Sequence, residues 1–194
     1  MSQVSFNYPI NRLILRENRI SDAEYLARWF NDQENMRWMD GNGETYDQTE
    51  IINDIQEPDR WALDMTSILK NEERIGYCSI YHINPNIKSG ELSFVIGETK
   101  FKGQGMGKEL VEGLTRLGFE ELGLSKLFST VVKENLPSMK ALLANGYRIV
   151  SDSKSPVQSN EIFLEMTKEE YLQRKVAKNG AVAVVQAAMS QSNQ

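Results

Sequence analysis

Phe101-Lys102-Gly103-Gln104-Gly105-Met106-Gly107-Lys108 sets three glycines between an apolar run and a helical pattern, and its reading decides the fold. Upstream, Glu91 to Ile96 has the character of a strand. Downstream, Leu110, Leu114 and Leu117 fall on one stripe of a helix predicted from about Met106 to Leu122 and ended by Gly123. A strand feeding a glycine turn and then a helix points backbone N–H groups at the positive end of the helix dipole, which makes an anion site. A side chain at Gly103, Gly105 or Gly107 would hold phosphate oxygens away from those donors. The other reading of the same spelling is a tight strand-to-helix connection that binds nothing.

Spelling also tests the two common nucleotide loops. A Walker loop needs Gly five residues before its Gly-Lys and Ser or Thr after it, but Lys102 stands at the first position and Glu109 at the last. A dinucleotide fingerprint needs a third glycine three residues after the second, whereas Gly105 is followed by Met106-Gly107-Lys108. Neither fits.

Working outward, Leu127 to Val132 is a predicted strand, so the strand-loop-helix-strand order implies a parallel crossover with Glu91 to Ile96. Before the loop, Trp61 to Leu69 and Ile75 to Ile83 read as antiparallel strands joined by polar turns. Arg12 to Arg16 is the expected first strand, and Ser21 with Glu24 the expected cap of a helix from about Asp22 to Asn31. Short helices follow within Asp32 to Asp40 and over Gln48 to Ile55, separated by Gly41-Asn42-Gly43. After the crossover, Asn135 caps a helix with Pro137 in its first turn, and Gly146 ends it. Tyr147 to Ser151 and Ile162 to Met166 close the sheet. The expectation is an α/β fold with a mixed sheet, one domain over residues 1–174, and a tail over 175–194 that is a weak helix or disordered.

A chain of 194 residues suits one packed core. With 40% apolar and 25% charged residues it has the composition of a soluble folded protein. A net charge of −5 argues against a sequence-independent grip on nucleic acid. No apolar run approaches the roughly 20 residues that span a bilayer, so no membrane partner is expected and a cytoplasmic location is the default. Cys78 is the only cysteine, which excludes an intrachain disulfide and a structural Cys-type zinc site; no metal is expected.

The run Lys102-Gly103-Gln104-Gly105-Met106-Gly107 resembles the pyrophosphate motif of the GNAT superfamily, in which Arg or Gln usually stands where this chain has Lys102. Phe94-Val95-Ile96-Gly97-Glu98 looks like that family's splayed strand. Asn135-Leu136-Pro137-Ser138, followed by Asn145-Gly146-Tyr147, looks like its second signature. The likeness runs from about Arg12 to Glu170, and the Arg12-to-Arg16 and Trp29-Phe30-Asn31-Asp32 segments resemble the branch that includes ribosomal-protein N-terminal acetyltransferases. It implies a mainly antiparallel sheet with a splayed central parallel pair flanked by helices, and acetyl-CoA as co-substrate. The N–H groups of Gln104, Gly105, Met106, Gly107 and Lys108, with Lys102 and Gly103, would hold the pyrophosphate. Phe94, Val95 and Ile96 would pair with the pantetheine arm, and Asn135 and Ser138 would approach the cofactor from the other side.

Attack by an amine on a thioester requires a neutral nucleophile, so a base must remove a proton. Glu91 is the first candidate, since it resembles the strand glutamate that is the base in histone-acetylating relatives; His82, Glu98 and Glu44 are weaker ones. The tyrosine that many relatives carry seven residues after the signature asparagine is Leu142 here, which leaves Ser138, a water or another tyrosine to protonate the thiolate. Trp29, Arg37, Trp38 and Tyr81 are the expected acceptor-lining residues, with Arg37 a candidate for holding a phosphate or carboxylate of the acceptor. The function expected is acetyl transfer to a primary amine of a protein N-terminus, aminosugar or polyamine; the alternative is a catalytically silent acyl-CoA-binding module. A homodimer is one expectation for the assembly.

Overall fold

The computed structural model describes residues 7–39, 45–150 and 160–178. It opens with a hairpin of β1 (Asn7–Ile10) and β2 (Leu13–Glu17), followed by α1 (Ala23–Phe30), α2 (Gln33–Met36) and α3 (Gln48–Gln56). Three antiparallel strands come next, β3 (Leu63–Leu69), β4 (Arg74–Asn84) and β5 (Ser89–Ile96). The glycine loop leads into α4 (Met106–Arg116), then β6 (Lys126–Val132), α5 (Leu136–Asn145), β7 (Arg148–Ile149) and β8 (Glu161–Thr167). Residues 168–178 form a last helix, α6. Among the described residues one sheet of eight strands runs β1-β2-β3-β4-β5-β6-β8-β7, and only the β5–β6 pair is parallel.

The two faces of the sheet carry different layers. α4 lies on one face, where Leu110, Leu114 and Leu117 are fully buried with Leu13, Met65 and Leu127. It lies close because Gly113 has no side chain; a Cβ there would overlap Ile10. The opposite face holds α1 and α3, packed through Leu26, Trp29 and Ile51 with Tyr77 of β4 at their base.

Several expectations shift. Asn7–Ile10 forms a strand that the sequence reading left out, because its Pro9 and polar ends suppress the strand signal while pairing with β2 supplies it. The helix expected to reach Leu122 changes at Leu117–Glu121 to a π-type turn, with Leu122 N–H bonded to Leu117 O at 3.0 Å. Ser21 and Glu24 do not form the first cap. The chain instead enters α1 through a 3-10 turn, Ile20–Asp22, closed by the buried Asp22 carboxylate, which accepts the Arg19 N–H (2.8 Å) while neutralising Arg16 (2.6 and 2.8 Å) and Arg74 (2.6 Å). Burial alone would raise this carboxyl, but the hydrogen bonds from Arg16, Arg19 and Arg74 outweigh it and bring the pKa to about 2. α6 runs through the expected boundary at 174/175, held by ion pairs from Lys175 to Glu120 (2.6 Å) and Lys178 to Glu112 (3.3 Å). The Gly41-Asn42-Gly43 break, Glu44, Ser151 and residues 179–194 lie outside the described residues.

Candidate active site

β5 and β6 keep parallel register only from Ser89, Gly90 and Glu91 to Lys126, Leu127 and Phe128. Beyond Glu91 the strands part, and side chains hold the opening. Ser129 Oγ donates to Leu92 O (3.0 Å), and Glu91 Oε1 accepts the Thr130 N–H (3.3 Å). Backbone groups that would otherwise be orphaned at the fork therefore have partners. The fork opens into a cleft of about 630 Å³, into which Glu91, Phe94, Asn135, Ser138, Trp38 and Tyr81 all face.

Glu91, expected at a strand start, sits at the floor of this cleft with its side chain 10% exposed. Its second oxygen is 3.1 Å from His82 Nδ1. The two base candidates are thus one pair. Glu98 is not in the cleft: it accepts Trp29 Nε1–H (2.9 Å) and is ion-paired with Arg28.

The glycine loop adjoins the cleft through Gly107, whose missing Cβ would stand 3.6 Å from the Phe94 ring and 3.9 Å from Ala141. Gly103 and Gly105 have φ of +75° and +80°, the left-handed region that side chains resist, and Gly105 is the N-cap of α4. Among the described residues, the N–H groups of 103 to 108 make no well-formed hydrogen bond with the protein. They are free donors at a helix start. Arg12, which the sequence reading treated only as a strand end, ties the loop down: its Nη2 donates to Gln104 O (3.0 Å) and its Nε to Glu109 (2.6 Å). Lys102 directs its ammonium to Asn35 Oδ1 (2.7 Å), and Asn35 in turn donates to Gly97 O (3.2 Å). That lysine anchors the loop to α2. The Gln104 side chain likewise turns back to Lys100 O (2.6 Å).

On the facing wall, Asn135 Oδ1 accepts the Ser138 N–H (3.3 Å) and so caps α5 while lining the cleft. Leu142, at the family's tyrosine position, is completely buried in the core. Tyr147 is no substitute, since its hydroxyl is buried against Thr115 Oγ1 at 2.9 Å. Tyr46, Tyr77 and Tyr81 do reach the cleft. Burial, with Asp64 beside it, pushes the Tyr77 phenol well above its ordinary value, and its hydroxyl donates to Asp64.

Two expected acceptor-lining residues are elsewhere. Trp29 is 1% exposed and packs over Gly97, where a Cβ would overlap its ring; the apolar stripe of α1 takes it into the core. Arg37 points to solvent, stacked over Trp38 (4.4 Å) and 3.7 Å from Glu34. A second cavity of about 310 Å³ shares Tyr46 and Tyr77 with the cleft; among the described residues, Glu17, Asp54, Asp59 and Asp64 line it with Arg60 as the one cation. Nothing in the spelling of these scattered acids marked them as neighbours.

Comparison with known proteins bears on this geometry. The sequence model of the acetyltransferase (GNAT) domain matches residues 12–148. A Bacillus licheniformis protein described as the uncharacterized N-acetyltransferase p20 is 27% identical over 139 residues, covering 68% of this chain and 76% of that protein. A spermidine N-acetyltransferase from Vibrio cholerae, solved with CoA and spermine, superposes with a TM-score of 0.72 at 18% identity, over 83% of this chain and 98% of that one. A candidate ribosomal-protein-serine acetyltransferase from Vibrio cholerae superposes with a TM-score of 0.66 at 21% identity, over 84% and 97%.

Proposed function

The chain belongs to the GNAT acetyltransferase family, and from that premise we propose that it moves the acetyl group of acetyl-CoA to a primary amine by direct attack in the β5–β6 fork. The observation that carries the reading is Glu91, a shielded carboxylate on the floor of the cleft where the two strands part.

Each part of the cofactor meets a matching surface. The pyrophosphate suits the free N–H groups of residues 103 to 108 at the α4 N-terminus, and Lys108 adds a cation at the same turn. The pantetheine arm suits the edge of β5 at Phe94, Val95 and Ile96, which has no strand partner on the β6 side. Its amides would pair there as a missing strand would. Asn135 and Ser138 line the other wall, and the Ser138 hydroxyl is a candidate donor to the departing sulfur.

Direct attack is favoured over an acyl-enzyme. Cys78, the only cysteine, is fully buried, and burial raises its thiol far above the range in which thiolate forms. Glu91 would take a proton from the acceptor nitrogen, the amine would add to the thioester carbon, and the C–S bond would break. The thiolate then takes a proton from Ser138, a tyrosine or water, and that donor is reprotonated by the second proton, which the acylated nitrogen sheds as the amide forms.

The acidic annex supports one choice of acceptor class. Four carboxylates against one guanidinium beside Tyr46 and Tyr77 would stabilise a second positive charge on the acceptor. This favours a polyamine over an aminosugar nucleotide, for whose phosphates Arg37 is the expected partner and points to solvent. The domain carrying this activity is residues 1–174, with α6 continuing the fold past that point.

The test is thiol release with spermidine, a monoamine of equal length, an aminosugar nucleotide, an aminoglycoside and N-terminal peptides, with acetyl-CoA binding measured in parallel. Spermidine should exceed the monoamine by about tenfold or more in kcat/KM and lose that advantage in high salt. A peptide or nucleotide sugar that outpaces spermidine overturns the acceptor reading. Acetyl-CoA binding without turnover of any amine would make the protein a silent binding module.

A further inference from the structure

We infer that His82 is a positioning residue that exports the proton collected by Glu91, and that the bulge in β4 exists at this point to bring its ring there. The inference rests on the reading of Glu91 as the base.

The register of β4 against β5 carries the argument. Tyr81 pairs with Glu91 and Asn84 with Ser89, so β4 spends one residue more than β5 across this step. In an unbroken strand His82 would stand opposite Gly90 and point with Ile80 into the core under α4. Ile83 takes that place instead: a Cβ on Gly90 would meet the side chains of both Ile80 and Ile83. The extra residue is His82, which turns to the face that carries Tyr81 and Glu91.

Its backbone is left-handed, with φ of +49°. For a residue with a side chain this conformation is strained relative to glycine, though His is tolerated there better than most. The strained residue is also the only histidine in the chain. Its ring connects a shielded group to water: Nδ1 lies 3.1 Å from Glu91 Oε2, while the side chain is 72% exposed and Glu91 only 10%. The other oxygen of Glu91 is occupied by the Thr130 N–H. Among the described residues, the other titratable side chains of the cleft are the phenols of Tyr46, Tyr77 and Tyr81 and the carboxylate of Glu161 on β8, beyond β6.

The proton count requires such an exit. An acceptor ammonium loses two protons on becoming an amide; one ends on the CoA sulfur and the other must reach solvent. Glu91 Oε2 hands it to His82 Nδ1, the imidazolium releases a proton from Nε2 to water, and the exposed ring resets by rotation and exchange. Imidazole is the side chain best suited to pass protons both ways near neutrality.

The experiment compares wild type with His82→Gly, His82→Asn and Glu91→Gln, using thiol release from acetyl-CoA in low buffer, with spermidine or the fastest amine of the panel as acceptor. His82→Gly relieves the backbone and should melt no lower than wild type, yet lose about tenfold or more in kcat with KM for acetyl-CoA within about twofold. His82→Asn, which keeps a left-handed residue and a polar group, should lose as much. Added imidazole should restore His82→Gly and leave Glu91→Gln inactive. A kcat for His82→Gly within about twofold of wild type in low buffer, or a loss that imidazole does not restore, overturns the relay while the base reading stands. Full turnover by Glu91→Gln removes the base and the relay with it, and a lack of turnover with every amine overturns the enzyme reading itself.

Discussion

The two sides of the cleft are built on different principles. The proposed donor side, from β5 through α5, is made of backbone: positive φ at Gly103 and Gly105, free N–H groups at the start of α4, a strand edge left open beyond Glu91, a cap at Asn135. The proposed acceptor side, from the turn before α1 to the start of β3, leans on side-chain pairs, most of them between segments remote in sequence. Asp22 holds Arg16 and Arg74, Trp29 meets Glu98, and Asn35 receives Lys102. A common cofactor needs one geometry that backbone can supply. An acceptor is recognised by charge and shape, which only side chains provide.

The comparison is broken most severely by removing packing on the donor side. Leu142→Ala empties a fully buried position on α5 and should cost about 2–5 kcal/mol in a denaturant titration. Below its melting transition the variant should turn over normally. A folded variant that binds acetyl-CoA yet loses turnover would mean that this position takes part in chemistry as well as packing.

On the acceptor side the equivalent support is ionic and therefore depends on pH. The Asp22 carboxyl, at about 2 when folded against an ordinary 3.8, contributes about 2 kcal/mol that is complete above the unfolded value. That contribution fades as pH falls from about 4 through about 2. Melting temperatures taken from pH 5 downward should show this acid limb in wild type. Asp22→Asn should be less stable throughout, since it strands Arg16, and its curve should be flatter over the same interval. Parallel curves would place the acid sensitivity elsewhere.

What the sequence made legible follows the same division. Gly105, Asn135, Pro137 and Gly146 each announce a local backbone state, so the loop, α5 and its ends stand where their spelling put them. The parallel crossover followed from element order alone. Glu91 and His82 were separate candidates because a β-bulge has no sequence signature, and a strict two-residue period puts them on opposite faces. Trp29 carried the periodicity of a core residue and the chemistry of a binding residue; only packing over Gly97 decides between them. Arg12 would have needed the turn between β1 and β2 to be seen first, and β1 itself was hidden by Pro9.

A smaller effect separates geometry from contact at the donor loop. A methyl group on Gly105 has room, with Arg12 Nη2 3.8 Å away as its nearest neighbour, so the cost of Gly105→Ala is the left-handed backbone and not a clash. About 1–2 kcal/mol of strain should appear as roughly tenfold weaker acetyl-CoA binding by calorimetry, with the fold retained. Gly105→Asn, which tolerates that conformation better, should lose less. Equal losses for both would point to direct crowding of the phosphate.

The smallest effect belongs to Arg37, and it sharpens the acceptor side most. Its side chain is 52% exposed, its partner Glu34 is 78% exposed, and their separation of 3.7 Å is that of a loose surface pair. Such pairs contribute at most about 1 kcal/mol, and here helix spacing supplies the contact without any constraint from the cleft. Its stacking on Trp38 steadies a ring that lines the cleft along with Met36 and Met39. Arg37→Ala should therefore shift kcat/KM by less than about twofold for spermidine and for the aminosugar nucleotide alike, whereas Trp38→Ala should raise KM for whichever amine is used. A loss for Arg37→Ala confined to the phosphate-bearing acceptor would reverse the argument: the guanidinium would then have to swing from Glu34 onto the ligand, and the acceptor side would recognise an anion beyond the amine.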